Sequence, residues 1–251
     1  MPVPSPRPSA VSQPHEVRRL RDLLRAAIAG GRFPDGRLPG EGELMVGFGA
    51  SRSAVRGALS LLHDEGLVSP LTAPGTFRAV RQPRTLPAVV PTAASVHTRL
   101  LDRTGIAAPA PLAAWLGVPA GAPCLRIEFV TEVDGEPTAV ETHYVLQPEA
   151  AELLGIPMRD GWRTLLDDAG LATARTEAEV DHLPADPSVA ELLGVRPGST
   201  VLAVEQTASD PDGRVFEAAV LRMRPGDAAP GDPHPPGPCS GAAPGDCRAA
   251  G

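Results

Sequence analysis

Two arginines one helical turn apart, Arg52 and Arg56, follow Ser51 in the segment GFGASRSAVRGAL (47–59). Serine accepts backbone N–H groups at the start of a helix, so a helix is predicted to begin just after Ser51. Both arginines would project from the exposed N-terminal end of that helix. In that position an arginine can bond bidentately to guanine in the major groove of DNA. The spacing predicts a DNA recognition helix, with an ordinary surface helix as the alternative.

The elements that must position this helix lie within residues 16–80. Apolar residues at helical spacing give the recognition helix an inward face, formed by Val55, Leu59 and Leu62. An amphipathic helix is predicted before it, ending at Gly30-Gly31, with apolar positions at Val17, Leu20, Leu24 and Ile28. The solvent-exposed side of that helix is expected to carry Arg18, Arg19, Arg21 and Arg25.

Two further features complete this region. A turn-rich link, FPDGRLPGEGEL (33–44), opens a short helix near Glu41. After the recognition helix, two short strands at 67–68 and 75–77 flank a tip between Pro70 and Pro74. Helix, turn, helix and a two-strand tip in this order predict a winged helix-turn-helix fold.

These residues resemble the GntR-type bacterial repressors. The motifs that carry the resemblance are LPGEGEL (38–44), FGASRSAVRGAL (48–59), DEGLV (64–68) and APGTF (73–77). The resemblance implies DNA contacts by Ser51, Arg52, Ser53, Arg56, Gly75 and Thr76, and Arg18, Arg19 and Arg78 are expected to contact phosphates. Two positions depart from the family pattern, because Gly42 replaces a common DNA-contacting arginine and Ala73 replaces the first wing glycine. We therefore expect weaker or narrower operator recognition than is typical of the family.

Charge divides the chain into two parts. The formal net charge is −7, and all 23 basic residues are arginines. Residues 1–85 hold 12 arginines and 7 acidic residues, a net charge of +5, whereas residues 86–251 carry −12. A basic N-terminal part with an acidic remainder is expected of a DNA-binding regulator.

Residues 88–226 predict an α+β domain with an internal repeat. AAWLGVPAGAPCLRIE (113–128) pairs with AELLGVRPGSTVLAVE (190–205), each followed by a turn and a strand. The repeat predicts two similar halves that form one antiparallel sheet with helices packed against it. A short helix is also predicted to begin near Ser95.

This second region resembles the effector-sensing UTRA domain of the HutC subfamily of GntR regulators, which shares its fold with chorismate lyase. The resemblance rests on LGVPAGAP (116–123), DGEPTAVET (134–142), LLGVRPGS (192–199) and DGRVFEAAVLRMRPGD (212–227). It implies a homodimer that binds a palindromic double-stranded DNA operator and a small-molecule effector. An enzyme using the lyase-like domain and an effector-independent DNA-binding protein remain as alternatives.

The same resemblance indicates where an effector would bind. Relatives that sense sugar phosphates present two arginines at the positions of Phe129 and Thr131, so both charges are absent here. The positions expected to contact the effector are Ser95, Val96, His97, Phe129, Thr131, Glu141, Glu217 and Arg222. Without the arginine pair, a neutral polyol, a sugar or an amine-bearing metabolite is favoured over a phosphate ester.

The remaining expectations concern organisation and location. The boundaries predicted are a disordered segment at 1–14, the winged helix domain at 15–80, a linker at 81–87, the UTRA domain at 88–226 and a disordered tail at 227–251. No signal peptide and no apolar run long enough to span a membrane is present, which indicates a cytoplasmic protein. The three cysteines have no metal-ligand spacing, and neither a metal nor a cofactor is expected.

Overall fold

The computed structural model describes residues 13–33, 35–70, 77–79 and 96–225. These residues form an α+β structure with two parts, a helical N-terminal unit (residues 13–79) and a sheet unit (residues 96–225). The predicted tail and linker, at 227–251 and 81–87, lie outside the described residues.

The N-terminal unit contains three helices and a two-stranded antiparallel sheet. Its elements are α1 (Gln13–Ala29), α2 (Glu41–Phe48), α3 (Arg52–Asp64), β1 (Val68–Pro70) and β2 (Phe77–Ala79). The order is the one predicted for a winged helix-turn-helix, although α1 begins at Gln13, inside the segment expected to be disordered.

Local chemistry sets the ends of α3 as the sequence predicts. The Ser51 hydroxyl accepts a hydrogen bond from the Ala54 amide at 3.2 Å, which satisfies one of the free donors at the start of the helix. Val55, Leu59 and Leu62 are fully buried in a core shared with α1. The predicted inward face of the recognition helix is confirmed.

The sheet unit is a six-stranded antiparallel sheet with four short helices. Its elements are β3 (Val96–Ala107), α4 (Ala110–Leu116), β4 (Pro123–Val133), β5 (Glu136–Leu146), α5 (Glu149–Leu153), α6 (Trp162–Asp168), β6 (Arg175–Pro184), α7 (Pro187–Leu193), β7 (Thr200–Ser209) and β8 (Val215–Met223). The strand order is β3-β4-β5-β8-β7-β6. Each half contributes strand, helix, strand and strand, and the halves meet where β5 pairs with β8. The predicted two-fold repeat is confirmed.

The helix predicted near Ser95 is wrong. From Val96 onward the chain is strand β3, which pairs with β4 from Val96 opposite Val133 to Ala107 opposite Pro123. The apolar and polar residues of this segment fit both a helical and a strand period. The long partner strand β4 supplies backbone hydrogen bonds along its whole length, which a short isolated helix cannot match.

Alternation along the strands gives the sheet two different faces. The front face, with Thr131, Glu141 and His143, is covered by α5 and α6, which pack on an apolar cluster around Phe129. The back face, with Glu128 and Thr142, faces α1, and α4 and α7 pack on the same side. The two faces of the sheet therefore carry separate sets of polar side chains and are covered by different helices.

Candidate functional sites

The first candidate site is the exposed start of α3. Ser51, Arg52, Ser53 and Arg56 are all exposed. Arg56 donates from Nε to Glu41 Oε2 at 2.9 Å, and its side chain stays 64% exposed. A Cβ added at Gly42 would meet no atom within 4 Å, so this position of α2 is open. The predicted base-reading residues therefore form an accessible surface.

The wing residues are only partly described. Strand β2 pairs with β1, with Arg78 opposite Ser69. The Arg78 side chain, Gly75, Thr76 and Ser95 lie outside the described residues, so the contacts predicted for them stay predictions.

The arginines of α1 lie on a surface that the sequence did not predict. Arg18 and Arg19 are 1% and 7% exposed, and both donate to the carboxylate of Glu128 on β4. The expectation that they occupy a solvent-exposed side is wrong, because the back face of the sheet covers it. In this arrangement neither side chain is accessible to a phosphate.

Three more ion pairs between α1 and the sheet unit extend this contact. Arg21 Nη2 lies 2.6 Å from Asp186 Oδ2, and Arg25 Nε lies 2.6 Å from Glu205 Oε1. A pair of opposite polarity runs beside them, in which Arg222 Nη2 donates to Asp22 Oδ1 at 2.5 Å. Arg21 and Arg25 also bond to Glu65, at the end of α3. We call this network the α1 contact; its members are Arg18, Arg19, Arg21, Asp22, Arg25, Glu65, Glu128, Asp181, Asp186, Glu205 and Arg222.

Glu128 and Glu205 end the two repeated sequence segments at equivalent positions. Burial by itself would raise the pKa of Glu128, but the adjacent Arg18 and Arg19 lower it to about 2. At Glu205 burial dominates, and the pKa is raised despite Arg25 and Arg222. The repeat therefore places one acid from each half under the same helix.

Arg222 was expected in the effector site, and the structure places it elsewhere. Glu217 and Arg222 are an odd number of residues apart on β8, so their side chains point to opposite faces. Arg222 faces α1 and pairs with Asp22. It adds no positive charge to the front face.

The second candidate site is a cavity of about 290 Å³ on the front face. Its polar lining groups come from five strands, from α6 and from the segments on either side of α6. They are Thr131, Glu141, His143, Asp160, Arg163, Thr173, Thr176, Gln206 and Glu217. The predicted residues Val96, Thr131, Glu141 and Glu217 therefore converge, with Trp162 forming part of the wall.

His143 joins two acids of this cavity, Glu141 and Glu217. Its Nδ1 lies 2.6 Å from Glu217 Oε1, and its Nε2 lies 3.1 Å from Glu141 Oε2. The buried ring stacks on Trp162 with centroids 3.8 Å apart. Burial opposes protonation, but hydrogen bonds to both carboxylates outweigh it and raise the pKa of His143 to about 9. The two carboxylates thus favour the protonated form of the His143 ring.

Sequence reasoning missed His143, although a signal was present. His143 follows Glu141 by two residues on a predicted strand, which places both side chains on one face. The other predicted positions differ in role. Thr131 donates to Glu141, Phe129 lies beneath the ring of His143 with centroids 5.3 Å apart, and His97 is exposed without lining the cavity.

A larger cavity, about 370 Å³, lies between the C-terminal end of α1, Trp115 and strands β6 and β7. It is lined by Glu177, Glu179 and Glu205, and burial raises the pKa of Glu179. Fewer polar side chains line this cavity than line the front cavity around His143. We therefore take the front cavity as the candidate effector site despite its smaller volume.

Within the described ranges, no cluster of His, Cys, Asp and Glu has the arrangement of a metal site. Among the helices of those ranges, none combines the length and apolarity needed to cross a membrane.

Comparison with known proteins identifies both parts of the chain. The UTRA domain family matches residues 93–228, and the gntR family of bacterial regulatory proteins matches residues 16–77. An HTH-type transcriptional regulator of Mycobacterium tuberculosis is 30% identical over 82% of this chain and 81% of its own. The HTH-type transcriptional repressor NagR of Bacillus subtilis is 28% identical over 80% of this chain and 87% of its own.

A solved structure shows the same fold over both units. PhnF from Mycobacterium smegmatis superimposes with a TM-score of 0.50 and 24% identity, covering 80% of this chain and 94% of that one. A basic winged helix with an exposed recognition helix, joined to a sheet unit with a ligand-sized cavity, accounts for both family matches. The chain belongs to the GntR family of bacterial regulatory proteins, in the HutC type with a UTRA domain, and is a DNA-binding transcriptional regulator under effector control.

Proposed function

We propose that this regulator binds a palindromic operator as a homodimer and releases it when an effector fills the front cavity. Ser51, Arg52, Ser53 and Arg56 would read the operator, because they sit together at the accessible start of α3. The Gly75-Thr76 wing and Arg78 would add contacts to the DNA backbone. The division proposed is a DNA-binding domain at 15–80 and a UTRA domain at 88–226, in a cytoplasmic protein that works as a repressor.

The arrangement of Glu141, His143 and Glu217 carries the proposal for the effector. Two carboxylates and one protonated imidazole leave a net negative charge inside a buried site. Asp160 and Arg163 at the cavity offset each other in formal charge. A phosphate ester would meet these acids, and the one buried cation beside them, His143, already has both nitrogens engaged by carboxylates and cannot bind a phosphate bidentately as an arginine does.

The favoured effector is therefore a polyol, a sugar or an amine-bearing metabolite. Carboxylate oxygens accept hydrogen bonds from hydroxyl or ammonium groups, and the Trp162 ring offers an apolar surface for a sugar ring or a cation. Hydrogen bonds are directional, so the cavity would select a ligand by the positions of its hydroxyl or ammonium groups.

The test is a thermal-shift screen of sugars, polyols and amines against their phosphorylated counterparts, followed by operator release with each compound that binds. We expect binding and release by unphosphorylated compounds, and loss of both in Glu217→Gln. Glu152→Gln, the same change at an exposed position of α5 outside the cavity lining, is the matched control and should behave like the wild type. Release by a phosphate ester that Glu217→Gln leaves intact would contradict the effector assignment.

We further infer that the front cavity binds a ligand without transforming it. The alternative of an enzyme needs a nucleophile or a general base free to act, whereas both nitrogens of His143 are already engaged by carboxylates. The accessible recognition helix also disfavours it, since an enzyme would have no use for one.

A further inference from the structure

We infer that the α1 contact is a releasable lock that holds the N-terminal unit on the sheet unit and weakens its binding to DNA. The regulation through the cavity rests on the proposed effector site, whereas the lock itself is independent of it. The lock consists mainly of ion pairs that can rehydrate, beside a small apolar contact in which Leu23 and Phe48 pack against α4.

Charge complementarity supports the lock. Four arginines of α1 face acids of the sheet unit, and the one acid of α1 in the contact, Asp22, faces an arginine of the sheet unit, Arg222. Every pair therefore matches, including the one whose polarity is reversed. Such matching is expected of a surface that docks specifically.

Burial makes the lock sensitive to the loss of any one member. Arg18, Arg21, Arg25, Glu128 and Arg222 are all at most 1% exposed. Removing one partner leaves a charge buried without compensation, whereas undocking returns every member to water. The contact is therefore poised between a docked and an undocked state, unlike a hydrophobic core.

Docking also changes what DNA encounters. The arginines of α1 form part of the net +5 charge of residues 1–85, and in the docked state Glu128, Asp186 and Glu205 offset them. Attraction to a polyanion falls when basic groups are neutralised internally. Undocking would restore that charge to the N-terminal unit.

A hydrogen bond on the back face ties the lock to strand β5, whose neighbouring residues line the front cavity. Thr142 lies between Glu141 and His143 on β5, and its hydroxyl donates to Glu128 Oε1 across the strand pair at 3.3 Å. A ligand that fixes Glu141 and His143 would fix the strand position of Thr142, and with it the carboxylate that holds Arg18 and Arg19. An effector would thus favour the docked state and release DNA.

Spin labels can measure docking in the full chain. Val46→Cys in the N-terminal unit and Leu154→Cys in the sheet unit are suitable sites, because these residues are 85% and 57% exposed. Cys239→Ser and Cys247→Ser remove the tail thiols. Cys124 is buried and its pKa is raised to about 12, so it does not compete for the label.

Glu128→Gln and Arg222→Asp are the test variants, since neither changes a residue of the N-terminal unit. In both variants we expect a broad distribution of the distance between the two labels, where the wild type has a narrow one. We also expect them to bind the operator about tenfold more tightly than the wild type, or tighter still, at the same salt concentration. Adding Asp22→Arg to Arg222→Asp should restore the narrow distribution. Arg99→Gln, which breaks an exposed ion pair with Glu132, is the control and should change neither readout. Circular dichroism verifies that the sheet unit stays folded.

Narrow distributions with wild-type operator affinity in both folded test variants would overturn the lock, as would a charge swap that restores nothing. If both variants unfold, urea-dependent widening of the label distance in the wild type replaces them. If the lock exists, the two labels should move apart at a lower urea concentration than the one at which the circular dichroism signal of the sheet is lost. Both changes at the same urea concentration would overturn it.

A second pair of variants tests the connection without any effector. Glu217→Gln alters the cavity and should change the docked fraction, while the same change in a Thr142→Val background should have no effect on it. An equal response in both backgrounds would overturn the path through Thr142 and leave the lock standing. Failure of the compound screen would count against the proposed effector site only.

Discussion

The Nδ1 atom of His143 lies 2.6 Å from Glu217 Oε1, which makes a buried histidine the partner of an acid on the neighbouring strand. Hydrogen bonds to Glu141 and Glu217 outweigh burial and raise the pKa of His143 from 6.5 to about 9. A histidine whose pKa is higher in the folded state than in the unfolded state stabilises the fold. This contribution is fully present at pH values below the pKa of the unfolded state. That contribution is lost as the pH rises through the folded value.

We therefore expect the free energy of unfolding to fall between about pH 6.5 and pH 9, by on the order of 3 kcal/mol at most. His143→Gln retains hydrogen-bonding groups but does not titrate, so its stability should be nearly constant over that window. Urea unfolding at a series of pH values measures both. Parallel slopes for wild type and variant would show that His143 does not carry the dependence.

Arg52→Ala and Arg56→Ala should each weaken operator binding by about 1–3 kcal/mol and relax its sequence preference. The reason is their exposed position at the start of α3. Titration of operator and random DNA under identical salt separates the two effects. An equal loss on both DNAs would assign these arginines to the phosphate backbone instead.

Gly42→Arg should tighten operator binding by on the order of 1 kcal/mol, because the position is open and the added guanidinium can reach DNA. Replacing glycine within α2 should also stabilise the fold by about 0.5–1 kcal/mol. Gly42→Ala is the matched control, since it supplies the helix propensity without the charge. If Gly42→Ala tightens binding as much as Gly42→Arg, the gain comes from helix order.

Thr131→Arg should give the front cavity affinity for phosphorylated ligands that the wild type lacks, because Thr131 lines the cavity beside Glu141. Phe129→Arg should instead unfold the sheet unit, because Phe129 is completely buried beneath His143. Thermal shift with inorganic phosphate and a sugar phosphate distinguishes the two. A folded Phe129→Arg that binds phosphate would show that the packing of this strand is more adaptable than its burial indicates.

Short-range signals predicted much of this molecule. Ser51 as a cap and the apolar spacing of Val55 and Leu59 are local features, and the structure retains both. The repeated LG-turn-strand segments predicted the two-fold sheet, since each copy must bury its apolar side against the other. The acids Glu141 and Glu217 could be placed by motif, and they do converge.

What the sequence did not predict depends on contacts distant along the chain. Arginines opposite an apolar stripe are normally solvated, so Arg18 and Arg19 gave no local sign that Glu128, more than a hundred residues away, would cover them. Strand β3 likewise owes its conformation to its pairing with β4. The role of Arg222 followed from which face of β8 it occupies, which a motif alone does not specify.

The equivalent positions of Glu128 and Glu205 have a mechanical consequence. Because α1 binds one acid from each half of the sheet, it crosses the seam between the halves, where β5 pairs with β8, and restrains their relative movement. Any bending of one half against the other would strain bonds at two separated points of a rigid rod. The helix would then rotate as a whole and carry with it α3, which packs against it, so a flexure of the sheet would reorient the recognition helix.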